Sequence, residues 1–156
     1  MFPDWGKFPK ELLETPWPPK GLYIKGNFAG DGPRVAIVGT RRCTSYGRDV
    51  AFKIAETLGR EGIIIVSGLA LGIDAAAHEG ALAGRGVTWA VLGSGLKNIY
   101  PKAHMGLAKK IISEGGALIS EYPQDLQARK HTFAEPAATR RERREPQQHQ
   151  AAHDLA

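Results

Sequence analysis

Between Arg34 and Ser120, short unbroken apolar runs alternate with stretches in which apolar residues recur every three or four positions. Val35-Ala36-Ile37-Val38 and Ile63-Ile64-Ile65-Val66 are continuous runs, the pattern of strands buried on both faces. Between them, Val50, Ala51, Ile54, Ala55 and Leu58 fall on one side of a helix expected to end near Gly59 or Gly62. Ile73, Ala76, Ala77 and Ala81 line a second helix, from about Gly72 to Gly84, and Val87 to Leu92 reads as a third strand. Leu107, Ala108, Ile111 and Ile112 mark a third helix, and Ala117-Leu118-Ile119-Ser120 a fourth strand. Strand–helix alternation with short connections predicts an α/β fold, a Rossmann-like parallel sheet with right-handed crossovers and helices on both faces.

The flanks break this pattern. Residues 1–33 are rich in Pro, Gly and aromatics, and Thr15-Pro16-Trp17-Pro18-Pro19 cannot be helical. They read as an extended N-terminal arm with a short strand at Leu22-Tyr23-Ile24. Residues 34–133 form the predicted domain. Residues 134–156 are a low-complexity Arg/Glu/Gln/His tail whose one large aliphatic is Leu155, and they are expected to pack poorly.

Charge sharpens the picture. The net charge is +5, but the four arginines of the tail are matched by four acids, so the whole excess lies on residues 1–133. A basic folded surface suits a polyanion such as nucleic acid, although a solubilising lysine excess reads the same way. No apolar run approaches the roughly 18–20 residues that span a bilayer, so no membrane partner is expected. Met1-Phe2-Pro3-Asp4-Trp5 lacks the basic and then apolar regions of a secretory signal, and Cys43 is the one cysteine. A cytoplasmic location is the expectation.

In open parallel sheets, ligands bind beyond the carboxyl ends of the strands. Here the first three ends read Gly39-Thr40-Arg41-Arg42, Ser67-Gly68-Leu69-Ala70 and Gly93-Ser94-Gly95. Glycines let backbone approach a ligand, helix N-termini offer N–H groups to an anion, and the hydroxyls and arginines add donors and charge. Together they predict a phosphate-accepting rim, though tight turning alone explains any one glycine pair. A dinucleotide is disfavoured: the first turn lacks G-x-G-x-x-G, and Ser67 stands where an acid would hold a ribose. There is no Gly-Lys-Ser/Thr phosphate loop, and no cofactor is expected.

Several blocks carry a family resemblance. Val35 to Arg41 with Tyr46-Gly47, Ser67 to His78, Ala90 to Leu96 with Tyr100-Pro101, and Leu118 to Pro123 resemble, in order, the blocks of the DNA-processing protein A family of natural transformation. Phe8 to Leu13 and Pro19 to Gly26 resemble its lead-in, so the likeness covers residues 8–133. It implies a non-enzymatic protein that binds single-stranded DNA and delivers it to a recombinase, acting as a homodimer. It further implies that Arg41 contacts phosphate, and that Lys130 and Phe133 grip the backbone and a base. Cations and a stacking face make physical sense for a single strand. Taken alone, Phe133 reads more readily as core. After Phe133 the likeness stops, and the expectation is a chain lacking the C-terminal part of the domain through truncation or a frameshift near residue 134. The other reading kept open is a Rossmann-like protein for nucleotides or small phosphates, including an enzyme on nucleoside phosphates. It lacks the Pro-Gly-Gly-x-Gly-Thr turn such relatives would show.

Other polar residues read as structural. Asp74 and His78 stand one helical turn apart, but no nucleophile or second acid lies nearby in sequence. Asp74 is read as a helix cap or dipole partner. Cys43 reads as a turn residue, and His149 with His153 makes too small a ligand set for a metal.

Overall fold

The computed structural model describes residues 10–127, apart from 17, 20 and 29–31. Its elements in chain order are α1 (Lys10–Leu13), β1 (Tyr23–Gly26), β2 (Arg34–Ala36), α2 (Ser45–Arg60), β3 (Ile64–Ser67), α3 (Ile73–Ala83), β4 (Thr88–Leu92), α4 (Met105–Ser113) and β5 (Ala117–Ser120). A 3₁₀ turn, Lys102–His104, leads into α4. The tail 134–156 lies outside the described residues.

The four strands read from apolar runs pair in parallel as β2-β3-β4-β5, with Val35 opposite Ile65 and Val66 opposite Trp89. The sheet has a fifth, antiparallel member. β1 comes from the segment read as an arm and pairs with β5 at the far edge, Tyr23 opposite Ser120.

Strand order also fixes where the helices lie. Each crossover steps to the next neighbour in the same direction, so right-handed connections put all their helices on one face. Accordingly α2 packs beside α3 and α3 beside α4. The sequence reading places helices on both faces; among the described residues the three long helices share one. Their core joins Ala55 and Ala77 to Ile65, and Ala108 and Ile111 to Leu92 and Leu118.

The other face carries Ile64, Trp89, Ala117 and Ile119, with Leu22 and Phe28 packed on them. The Phe28 ring lies 4.4 Å from that of Trp89, and the Arg34 guanidinium stands 5.6 Å from the Trp89 ring centre. Glu11 of α1 reaches the same arginine at 3.7 Å. The N-terminal segment therefore covers this face where helices were expected.

β2 departs from expectation in its burial. It is an edge strand, with Val35 37% and Val38 70% exposed, so the run Val35–Val38 is not covered on both faces. Ile37 N–H bonds to the Val66 carbonyl and Ile64 N–H to the Pro33 carbonyl. Since backbone groups alternate along a strand, those of Arg34, Ala36 and Val38 turn to the open side.

Two helix details matter below. Thr44 caps α2, its Oγ1 accepting from Gly47 N–H at 3.1 Å. α3 approaches α2 so closely that a methyl at Gly80 would lie 2.2 Å from the Phe52 carbonyl oxygen. Gly80→Ala is expected to lower stability by about 1–2 kcal/mol, since forcing the backbones apart outweighs the helical preference of alanine. An unchanged or raised urea midpoint would show slack between these helices.

Candidate nucleic-acid interface

Parallel pairing brings the carboxyl ends of β2, β3 and β4 to one edge, and the residues after them form a rim. The β2–α2 turn comes first. Thr40 Oγ1 accepts from Arg42 N–H at 3.1 Å, a local turn that fixes the backbone carrying two arginines. Gly39, Thr40, Arg41 and Arg42 are all exposed.

This turn rests on the start of α3. Gly72 adopts φ +83°, and a methyl there would lie 2.3 Å from the Thr40 carbonyl oxygen and 2.9 Å from that of Arg41. Only glycine meets both demands. Ile73 N–H donates to the Thr40 carbonyl at 3.3 Å. Asp74, 6% exposed, then ties two turns together: Oδ1 accepts from Gly39 N–H at 3.2 Å and Oδ2 from Gly68 N–H at 3.1 Å. It sits in the first turn of α3 but braces the rim.

The two buried rim serines also point inward. Ser67 Oγ donates to the Ile37 carbonyl and Ser94 Oγ to that of Asn98, each at 2.7 Å. With residue exposures of 2% and 1%, these hydroxyls hold the loops from inside the rim. Gly39 and Gly68, read as glycines that let the backbone approach a ligand, have their N–H groups taken by Asp74. What the rim presents outward is the Thr40–Arg42 turn, the Gly68 and Gly93 backbones and the side chains around them.

The third loop is anchored from behind. Ser120 Oγ donates to the Ser94 carbonyl at 2.7 Å, and Gly95 N–H to that of Leu126 at 2.8 Å. His104 Nδ1 lies 2.8 Å from the Leu69 carbonyl, which can only accept, so the imidazole donates and ties the third loop to the second. Leu69 is itself fully buried at φ +60°, a strained conformation for a leucine that its packing maintains. Lys97 pairs with Asp125 at 2.9 Å, whereas Glu121 follows β5, three strands or roughly 14 Å from the β2 turn. Among the described residues, the exposed Arg41-Arg42 pair stands at the β2 end of the rim.

Lys130 and Phe133 lie outside the described residues. Sequence reasoning passed over the bracing role of Asp74, whose partners are 35 and 6 residues away. It also gave no role to Leu71 and Tyr100, which border a recess beside Arg41. The signal available was Tyr100-Pro101, an aromatic that a proline keeps out of the following helix. No group of three or more metal-ligating side chains occurs among the described residues, and no described helix is long and apolar enough to cross a membrane.

A run of parallel strands stepping one way, with an arginine-bearing turn braced at their carboxyl edge, defines a Rossmann-like α/β protein. The chain belongs to the DNA recombination-mediator protein A family, whose sequence profile matches residues 1–137. It is 41% identical over 127 residues to Protein Smf of Escherichia coli K12, covering 81% of this chain and 34% of that protein. Against DNA processing protein DprA of Streptococcus pneumoniae R6 it is 41% identical over 134 residues, 85% of this chain and 46% of the relative. Among solved structures, DprA of S. pneumoniae superposes with a TM-score of 0.72 at 41% identity, over 81% of this chain and 44% of that one. DprA of Helicobacter pylori, solved for its single-stranded DNA binding mode, gives 0.69 at 34% identity, over 81% and 58%. The chain thus spans between a third and a half of the length of these two sequence relatives.

Proposed function

We propose that this chain binds single-stranded DNA through its carboxyl-edge rim, without catalysing a reaction, and serves DNA processing in natural transformation. The observation that carries this reading is the exposed Arg41-Arg42 pair on a turn pinned by Gly72 and Asp74. Cations held on a rigid turn neutralise phosphates at little ordering cost. Family membership and the H. pylori relative point to the same ligand. In this reading Thr40, Arg41, Arg42, Gly68 and Gly93 border the DNA, and Lys130 and Phe133 extend the grip. Ser67, Ser94 and the Gly39 N–H support the rim from inside. Hand-over to a recombinase, pairing with a second copy and work in the cytoplasm belong to the same proposal.

Fluorescence anisotropy with a labelled oligothymidylate tests it. Three to five phosphate contacts give a log–log salt slope of about −2 to −3.5. Arg41→Ala is expected to weaken binding roughly tenfold and flatten the slope by about 0.7, with the urea midpoint close to wild type. Tighter binding to blunt duplex, or a flat salt response, would sink the reading.

A further inference from the structure

The sheet ends on two unlike edges. β1 forms one and carries the exposed Lys25, the kind of charge that keeps an edge single. β2 forms the other, and Val35-Ala36-Ile37-Val38 holds neither a charge nor a proline. The open-side backbone groups of Arg34, Ala36 and Val38 are not bonded there among the described residues. We infer that this edge, with the flank of α2 beside it, is where two copies of the chain meet, their β2 strands pairing antiparallel about a twofold axis at Ala36. The inference rests on the pairing with a second copy proposed above, names its surface, and is independent of DNA binding.

The helix continues the edge. α2 turns its Phe52 and Glu56 side to α3, since methyls at Gly80 and Gly84 would strike the carbonyls of those two residues. Arg48 pairs with Glu79 on the same side. At 3.6 residues per turn, Val50 and Ile54 stand about 160° round the helix from Phe52, above the open side of β2. Ile54 is 49% exposed. Gly39 and Gly47 both lie against Ile73, so strand and helix are level there. Descending about 10 Å from that level brings β2 to Ala36 and α2 to about Ile54. A twofold axis through Ala36 therefore sets Ile54 of one copy near Ile54 of the other.

Self-pairing suits these residues. In the antiparallel register Ala36 faces its own copy and Arg34 faces the partner's Val38, so each open donor meets an open acceptor. Between them Val35 meets the partner's Ile37 on the face that carries the helices. Residues 35–39 hold no ionisable side chain, so the strands bring no like charges together despite the net charge of +5. After Gln127 the sequence offers Phe133 and Leu155 as its large apolar residues and no run to match the edge, whereas a second copy brings the same run. The contact closes at two copies, and the two rims open at opposite ends of the joined sheet. Residues 33–39 and the α2 flank supply roughly half of the 20–30 residues a side of a standard interface, so a dissociation constant of about tens of micromolar is expected.

Sedimentation velocity of the full chain from about 1 to 200 µM tests this, with a rise from monomer to dimer expected across the range. Ala36→Pro removes an open-side N–H and leaves the bonds to Ile64 and Val66 in place, and Ile54→Glu sets two like charges at the axis. Each should weaken pairing about tenfold or more, with a urea midpoint near wild type. Met105→Glu, at an exposed site on α4, should leave pairing unchanged. In a Cys43→Ser background, Ala36→Cys should form a covalent dimer under copper phenanthroline. Bonded antiparallel pairs hold their Cα atoms about 5.5 Å apart, within disulfide reach. Val35→Cys, which faces the partner's Ile37, should not link. A chain that stays monomeric throughout overturns the inference and the pairing with it. A dimer that Ala36→Pro and Ile54→Glu both leave intact, or that Ala36→Cys fails to link, overturns this surface while the pairing survives elsewhere. Neither result touches the DNA-binding reading, which anisotropy tests on its own.

Discussion

Replacing Asp74 by alanine is expected to destabilise the protein by about 2–5 kcal/mol and to cost DNA binding as well. Its carboxylate accepts from the N–H groups of Gly39 and Gly68, which belong to different strand-end turns. Removing it strands two donors, at about 1–3 kcal/mol each when buried. The turns are only part-buried, so entering water reduces that penalty. Loss of a negative group from the first turn of α3 adds up to about 1 kcal/mol. The functional effect follows from position, because the Gly39 turn carries Arg41 and Arg42. Asp74→Asn keeps one acceptor oxygen, can hold one turn, and should fall between wild type and alanine. Urea denaturation gives the stability change, and anisotropy at a urea-free temperature where both variants are folded gives the binding change. An alanine variant of wild-type stability would mean that Gly72 and Ile73 alone hold the rim.

Acid is expected to destabilise the fold through His78, by about 1 kcal/mol or slightly more per pH unit between pH 6.5 and about 3. His78 is fully buried, and its Nδ1 lies 2.7 Å from Thr88 Oγ1. The Thr88 proton is committed to the Ile65 carbonyl, also at 2.7 Å, so Nδ1 must be the donor and Nε2 is left as a bare acceptor. Placing a proton on Nε2 would create a charge inside the helix–sheet core. Burial, and secondarily His104, push the pKa from 6.5 down to about 3. Within that window the unfolded chain binds one more proton than the folded one, so stability is full above pH 6.5 and falls as pH drops. The sum across the window is roughly 4 kcal/mol. Titrating carboxylates contribute slopes of their own, and His78→Gln isolates the histidine by removing its share. Parallel stability profiles for wild type and His78→Gln would refute the assignment.

The fold was legible where one element's burial could be read from its own residues. Ile63–Val66 is apolar throughout because β3 lies inside the sheet, and the structure places that strand at Ile64–Ser67. Gly84 caps α3 where its apolar periodicity stops. Strand order was not legible, since nothing local distinguishes a sheet that steps one way from one that turns back. The exposure of Val35 and Val38 and the shared face of the helices follow from that order alone. β1 gave a weak signal because Tyr23-Ile24-Lys25-Gly26 lies on an edge and only Tyr23 packs on the main core. At the site, exposed Arg41 and Arg42 were readable from residue type and turn. The inward aim of Ser67 and Ser94 was not, because a hydroxyl's direction depends on which carbonyl lies behind it.

The open side of β2 explains why the arginines belong on that turn. A further parallel strand laid against it after a right-handed crossover from β5 would run the order back the other way, and its helix would cover the face now held by Leu22 and Phe28. Helices would then depart on opposite faces from β2 and from its new neighbour, and the loops leaving them would part over Gly39. That parting is the topological switch point, the crevice that open α/β sheets use for their ligands. With such a strand in place, Arg41 and Arg42 would stand at the lip of the cleft and the added strand would supply its opposite wall.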